Sequence, residues 1–488
     1  MYLFLLLILI HETYTCFTVD VAYASGVTFS NDKFTFCQKD AIKSVDKHQA
    51  ELTALSDSVW SYAEQALKEY QSSKILSGYA ERKGFKVTRN VAGLPTAFIA
   101  EYGSGKPIIG VLGEFDALPG LSQKAEAGKE VLKTGAAGHG CGHNLLGVGG
   151  LGAALAIKEL MEKNIIKGTI RFYGTPAEED YAGKVYMARE GVFNDLDVCL
   201  DWHPDYEIKV NNQSSQAVVD YTVTFNGKSA HAASDPWNGR SALDAAELFN
   251  TGINFYREHV KPSVRMHYVY LEAGKIPNVI PDKASVWIWL RDSKRTGVAV
   301  LEERMKHIAE GAALMAGVSY DLKLNNGLYE ELVIDKGAEL LQKNLDMLGG
   351  ISYTPEETKF ADDLMKNFGV PSKGIDGNVK PLQPTPADPI GGSTDVGDIS
   401  WIVPEISLLV TTAPYETPWH SWAVVACGGM SIGHKGMLYA SKALASAMID
   451  LYQSPQTVID IRNEFITKKG NEVWKAMLPP GPPAIRPD

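Results

Sequence analysis

At 488 residues the chain is too long for one simple core, so two or more domains are expected. Lys and Arg number 47 against 58 for Asp and Glu, a net charge of −11, which argues against nucleic acid or an anionic membrane as the main partner. Beyond the N-terminus no segment approaches 18 uninterrupted apolar residues, so no internal membrane span is expected, and five irregularly spaced cysteines do not make a disulfide framework.

Residues 2–10 are an apolar run, and Ala22-Tyr23-Ala24 offers small residues where a signal peptidase reads. A cleaved export signal over 1–24 is expected, which would place the protein in the periplasm or outside the cell. Without processing it would be cytoplasmic. Residues 41–84 read as largely helical, with Leu52, Leu55, Val59, Trp60, Ala63 and Leu67 near a 3.6 period. Short apolar strands are expected at 96–101 and 107–112, and the second ends at Gly113-Glu114-Phe115-Asp116. A glycine-rich turn, Gly138-His139-Gly140-Cys141-Gly142-His143-Asn144, leads into a small-residue helix over 145–162. Strands follow at 169–173 and 198–202. Apolar strands alternating with helices indicate an α/β sheet covered on both faces, whose ligands gather at the carboxyl ends of the strands.

The pattern changes near Gln216. Residues 218–225 alternate apolar and polar, 241–259 and 301–315 are helical, and strands are expected at 285–290 and around Leu322. This β-α-β-β-α-β order suggests an inserted α+β two-layer domain over 216–326, between catalytic segments at 38–215 and 327–455. In the second segment, helices are expected at 333–348 and 430–452, a strand at 405–410 and loop over 370–392. A C-terminal tail over 456–488 ends in Pro479-Pro480-Gly481-Pro482-Pro483, which is expected to be disordered.

Cys141 and His143, two residues apart, offer a thiolate and an imidazole, a pairing that suits a transition metal better than a core. Zincin spacing, His-Glu-x-x-His, is absent. Glu178-Glu179 follows the strand at 169–173. Such a pair is often only a solvated acidic turn. Here one carboxylate can hold a metal while its neighbour, with a raised pKa, serves as general base. His203 suits a packed core histidine or a ligand, and its strand end favours the ligand. His420, in Pro418-Trp419-His420-Ser421, is a further ligand candidate. Asp116 either orients a ligand or caps the next turn. In the inserted segment, His231 follows a strand. Arg291, near Asn278 in sequence, offers a planar fork for a carboxylate, or a surface ion pair.

Residues 113–123 (GEFDALPGLSQ), 138–147 (GHGCGHNLLG), 171–174, 239–245, 308–315, 393–398 (STDVGD) and 434–438 resemble the aminobenzoyl-glutamate hydrolase B-subunit family. The wider group is the aminoacylase and carboxypeptidase-like metallopeptidases, including its amidohydrolase branch. The resemblance implies a metal-binding α/β domain with an inserted dimerisation lid. It implies two divalent ions per subunit, Mn or Zn, held by Cys141, His143, Glu179, His203 and His420, with Glu178 as general base. It implies that Asn278 and Arg291 hold a substrate carboxylate and that His231 reaches the neighbouring subunit's site. The implied reaction is cleavage of an N-acyl amino acid, aminobenzoyl-glutamate or a similar conjugate, by a homodimer or by a heterodimer with a paralogous chain. A dipeptidase or aminoacylase, or a non-catalytic partner subunit, is the alternative. Two departures stand out. Many members carry His-x-Asp where this chain has Glu114-Phe115-Asp116. The amidohydrolase branch usually has Asp where this chain has Asn144.

Overall fold

The computed structural model describes residues 35–389 and 391–485. The expected export signal lies outside the described residues. Thr35 caps α1 (Phe36–Tyr62) through a reciprocal box with Gln38. Ala63, left-handed at φ 45°, ends it, and α2 spans Tyr70–Arg82. The single helix expected over 41–84 is therefore two. Leu67 is also left-handed, at φ 61°, and the break turns Glu69 into the interior.

The chain continues through β1 (Lys86–Arg89), β2 (Phe98–Ser104), β3 (Ile108–Gly113), α3 (His143–Glu162), β4 (Gly168–Gly174), α4 (Gly183–Arg189), β5 (Val198–Asp205) and β6 (Lys209–Asn211). The inserted part holds β7 (Ala217–Asn226), α5 (Ala242–Tyr256), β8 (Arg265–Glu272), β9 (Lys283–Asp292), α6 (Arg295–Ala316) and β10 (Ser319–Leu328). The return is α7 (Asp335–Leu348), α8 (Pro355–Phe368), α9 (Val396–Ser400), β11 (Glu405–Thr411), α10 (Trp422–Gly428), α11 (Ser431–Gln453) and α12 (Pro455–Lys469).

The first sheet is mixed and seven-stranded, in the order β1-β2-β4-β3-β5-β11-β6. Its central strands β4, β3, β5 and β11 are parallel, so their carboxyl ends share one edge. One face is covered by α1, α3 and α11, whose apolar side chains form the largest core with Phe98, Val111, Phe172 and Trp202. The other face packs Tyr186 and Met187 of α4 and Ile399 of α9 against Leu112 and Tyr173. Among the described residues α3 is the one helix long and apolar enough to cross a membrane, and it is instead the buried centre of this layer. It can lie so close because Gly147 has no Cβ, which would meet the Glu114 carbonyl oxygen at 2.5 Å.

The second sheet runs β10-β7-β9-β8, antiparallel throughout, with α5 and α6 packed on one face. The fold is thus α/β with a two-layer α+β insertion. The expected β-α-β-β-α-β order needs two strands between the inserted helices. The one not located in the sequence is β8, whose exposed Val269, Tyr270 and Leu271 break the alternation. The strand around Leu322 extends to ten residues.

The tail differs from expectation. It opens with α12, capped by Ser454, where no element was expected. Beyond it, Trp474 donates its indole N–H to Asp398 (2.7 Å), and Arg189 donates to the carbonyls of Pro479 and Gly481. These contacts hold a segment that its prolines marked as loop. The helix α8, with a Thr354–Glu357 capping box and Pro355 at its start, was likewise not expected.

Candidate metal centre

Three strand ends and two loops converge on one place. β3 delivers Glu114 and Asp116, β4 delivers Glu178 and Glu179, and β5 carries His203 near its carboxyl end. The turn before α3 supplies Cys141, and His143 opens the helix itself. Gly142 between them is left-handed at φ 78°, and a Cβ there would meet Pro204 Cγ at 2.9 Å. Glycine therefore allows Cys141 and His143, two residues apart, to face one point. The loop after β11 brings His420, also left-handed (φ 54°), whose backbone N–H donates to the Gly140 carbonyl at 3.0 Å.

Asp116 organises the centre. One oxygen lies 3.0 Å from His143 Nδ1 and the other accepts the Glu179 backbone N–H at 3.0 Å. It is fully buried and held below the ordinary carboxylate range: burial opposes the shift, but the contacts with His143 and the Glu179 N–H outweigh it. Asp116 therefore fixes the His143 ring through Nδ1 and leaves Nε2 to face inward. His203 follows the same logic. Its Nδ1 lies 2.7 Å from the Pro204 carbonyl, leaving Nε2 at 3.3 Å from Cys141 Sγ. Burial, then the neighbouring His143, lowers the His203 pKa to about 4, so its ring is neutral and ready to bind.

Glu179 Oε2 lies 3.5 Å from His420 Nε2. Burial lifts the Glu179 pKa to about 7, and burial with the charges of Glu114 and Glu179 pushes Glu178 well above the carboxylate range. Burial likewise pushes the Cys141 thiol up. Three overlapping groups result: Cys141, His143 and His203; Cys141, Glu179 and His420; and Glu114, His143 and Glu178, with donor atoms within 4.8 Å of one another in each group. Glu114 Oε2, His143 Nε2 and Glu179 Oε1 are buried without a hydrogen-bond partner among the described residues. Buried polar atoms are rarely left so. A soft thiolate, imidazoles and carboxylates turned inward without partners fit a divalent transition metal.

The lid candidates do not join this cluster within one subunit. His231 pairs with Val279, and Ala232 N–H donates to the Asn278 carbonyl, so His231 and Asn278 lie together on an exposed tip just before β9. Arg291 lies near the far end of β9, roughly 25 Å away at about 3.3 Å per residue. There it donates to Ser393 Oγ (2.8 Å) and stacks 4.9 Å over Trp289. Joint action of Asn278 and Arg291 on one carboxylate, as expected from sequence, is thus not available inside one chain.

Several contributors escaped the sequence reading. Lys184, fully buried on α4, bridges Glu114 (2.5 Å) and Asp395 (2.7 Å). Glu69 accepts the backbone N–H of Ala177, a left-handed residue (φ 63°) that sets up the Glu178-Glu179 turn. Asn144 donates to Ser56 Oγ and to the Gly428 carbonyl, tying α3 to α1 and α10. His139 turns away, its Nε2 3.0 Å from the Val59 carbonyl. Only the Glu114-Phe115-Asp116 departure hinted at Glu114. The other partners are far apart in sequence.

Residues 110–326 match the model of Peptidase family M20/M25/M40. The chain is 37% identical over 434 residues to the B-subunit of p-aminobenzoyl-glutamate hydrolase from Escherichia coli K12, covering 84% of this chain and 90% of that protein. It is 28% identical to the human Xaa-Arg dipeptidase over 88% of this chain and 92% of the relative. A dinuclear metal-binding peptidase of the M20 family from Bacillus subtilis superposes with a TM-score of 0.58 at 19% identity, covering 83% of this chain and 99% of that one. The chain belongs to the M20/M25/M40 peptidase family and is a metallo-amidohydrolase.

Proposed function

We propose that the protein hydrolyses the amide bond of N-acyl amino acids, with an aryl-acyl glutamate such as p-aminobenzoyl-glutamate as the first substrate to test. The observation that carries the reading is the Glu178-Glu179 pair set against Cys141, His143, His203 and His420 at one sheet edge. Cys141, His143, Glu179, His203 and His420 would hold two divalent ions, zinc or manganese, with Cys141 common to two ligand groups. When bound, the ions polarise the amide carbonyl and lower the pKa of the attacking water. Glu178, at the end of β4 with a raised pKa, takes the water proton and returns it to the leaving nitrogen.

The aryl preference is supported by aromatic rings beside the ligands. The ring of Trp419 is 6.4 Å from that of His203 and 6.4 Å from that of Tyr206, which contacts Tyr415 at 5.2 Å. Arg291 suits the substrate's free carboxylate. The Xaa-Arg dipeptidase relatives support a dipeptide substrate as the second reading.

The reading includes a dimer, of two copies or with a paralogous chain. β8 is an edge strand with exposed Val269 and Leu271, and it leads directly to the His231–Asn278 tip. Pairing along this edge would cover it and carry that tip toward the other subunit's centre. His231 is prepared for such a task. Its Nδ1 accepts the backbone N–H groups of Ala233 and Ser234 (3.2 and 3.1 Å), which leaves Nε2–H of the exposed ring as a donor for the developing oxyanion. Export depends on processing near residue 24, which N-terminal sequencing of the purified protein would detect.

The test is a panel of N-acyl amino acids and dipeptides, assayed with the chain alone, metal-stripped and reloaded with Zn²⁺ or Mn²⁺. Metal-restored release of glutamate from p-aminobenzoyl-glutamate is expected. Inactivity of the chain alone, with activity restored only by a paralogous chain that itself carries the centre, would favour a silent partner subunit.

A further inference from the structure

We infer that Glu114 is an additional ligand of the metal centre, presented by the buried Lys184–Asp395 pair. This rests on the reading that Cys141, His143 and His203 hold a metal. Glu114 is buried at the end of β3, and its two oxygens have different tasks. Oε1 lies 2.5 Å from Lys184 Nζ. Oε2 makes no hydrogen bond among the described residues and lies 3.0 Å from His143 Nε2. Asp116 already occupies His143 Nδ1, so Nε2 is the nitrogen available to a metal. Two donors each about 2.1 Å from one ion stand about 3.0 Å apart when they subtend a right angle and about 3.4 Å apart at the tetrahedral angle. The Glu114–His143 separation therefore suits two ligands of one ion.

The surroundings hold the carboxylate in that pose. Lys184 is fixed at both its ammonium and its backbone N–H by Asp395, at 2.7 and 2.9 Å. Its ammonium occupies Oε1 and leaves only Oε2 to face the centre. One lysine between two carboxylates leaves a net negative charge in a region closed to water, which a cation would offset. The position matters for the chemistry, because Glu178 belongs to the same group of donors. A ligand there would set how close the ion stands to the general base.

The test uses the full chain, metal-stripped and titrated with Zn²⁺ against a competing fluorescent chelator, together with a crystal structure of the Zn²⁺-loaded wild type. Glu114→Gln keeps the side chain's shape and should lower zinc stoichiometry or weaken one site by about 100-fold. Lys184→Met should weaken it by about 10–100-fold, as loss of a partner behind a ligand does. In the loaded crystal, Glu114 Oε2 should lie about 2.0–2.2 Å from zinc. The crystal distance decides even if a variant fails to fold. Glu114 more than 3 Å from the ion, or Glu114→Gln binding zinc like the wild type, would overturn the inference. If Cys141→Ser loses zinc while Glu114→Gln does not, the metal-site reading stands and only this inference fails. A wild type that takes up no zinc overturns both.

Discussion

Mixing two inactive variants would test whether each catalytic centre borrows its donor from a second subunit. Within one chain His231 sits on the tip just before β9 and Arg291 near the far end of that strand, roughly 25 Å apart at about 3.3 Å per residue. His231 has no hydrogen bond to the metal centre among the described residues, and it is exposed. His231→Ala should fold normally and lose about 10²–10³ in rate, the usual cost of one oxyanion donor. Glu178→Gln should be inactive through the other domain. After equal mixing and subunit exchange, about half the dimers are mixed, and each has one intact composite centre of two. Recovered activity should approach about a quarter of wild type. The assay is substrate hydrolysis, with exchange followed by native mass spectrometry. No recovery with exchange demonstrated would show that His231 serves its own subunit or does not serve catalysis.

Arg291→Ala should raise KM for free-acid substrates by about tenfold or more while leaving their amides unaffected, since a charge-assisted pair is lost. Equal cleavage of free-acid and amidated substrates by the wild type would refute a carboxylate role. Glu69 supplies a pH test on the metal-free protein. Burial first, then the charge of Asp116, raises its pKa from 4.5 to about 8. A carboxyl with a raised folded pKa contributes stability that is full below about 4.5 and is lost as pH rises through about 8. Glu69→Gln should therefore remove part of the fall in stability over that window. Denaturant titrations at pH 5 and 8 check this, and an unchanged pH slope would argue that Glu69 is charged in the folded protein.

Signals of short range were legible in the sequence. Cys141-Gly142-His143, in a glycine-rich turn before a helix, and Glu178-Glu179, after an apolar strand, stand out because each packs its chemistry into neighbouring positions, and a parallel sheet gathers strand ends at one edge. Contributors whose meaning lies in distant partners were not legible. Lys184 reads as an ordinary helix lysine until the fold sets it between Glu114 and Asp395, 70 and 211 residues away. β8 hid because its outward face is as apolar as its inward one, which erases the alternation that reveals a half-exposed strand. Prolines misled in the tail, since local composition favours loop and says nothing of anchors such as Trp474–Asp398. The break between α1 and α2 keeps the helical spacing of apolar residues, so periodicity alone ran the two together.

The central claim is that Glu178 moves the proton while Glu179 holds metal, and metal content measured beside turnover tests it most directly. Glu178→Gln and Glu179→Gln would be purified, reloaded with Zn²⁺ or Mn²⁺, and compared by elemental analysis and hydrolysis rate. Glu178→Gln is expected to retain nearly the wild-type metal content with turnover abolished, and Glu179→Gln to lose metal. Equal metal loss in both variants, or appreciable turnover by Glu178→Gln, would contradict the division of roles.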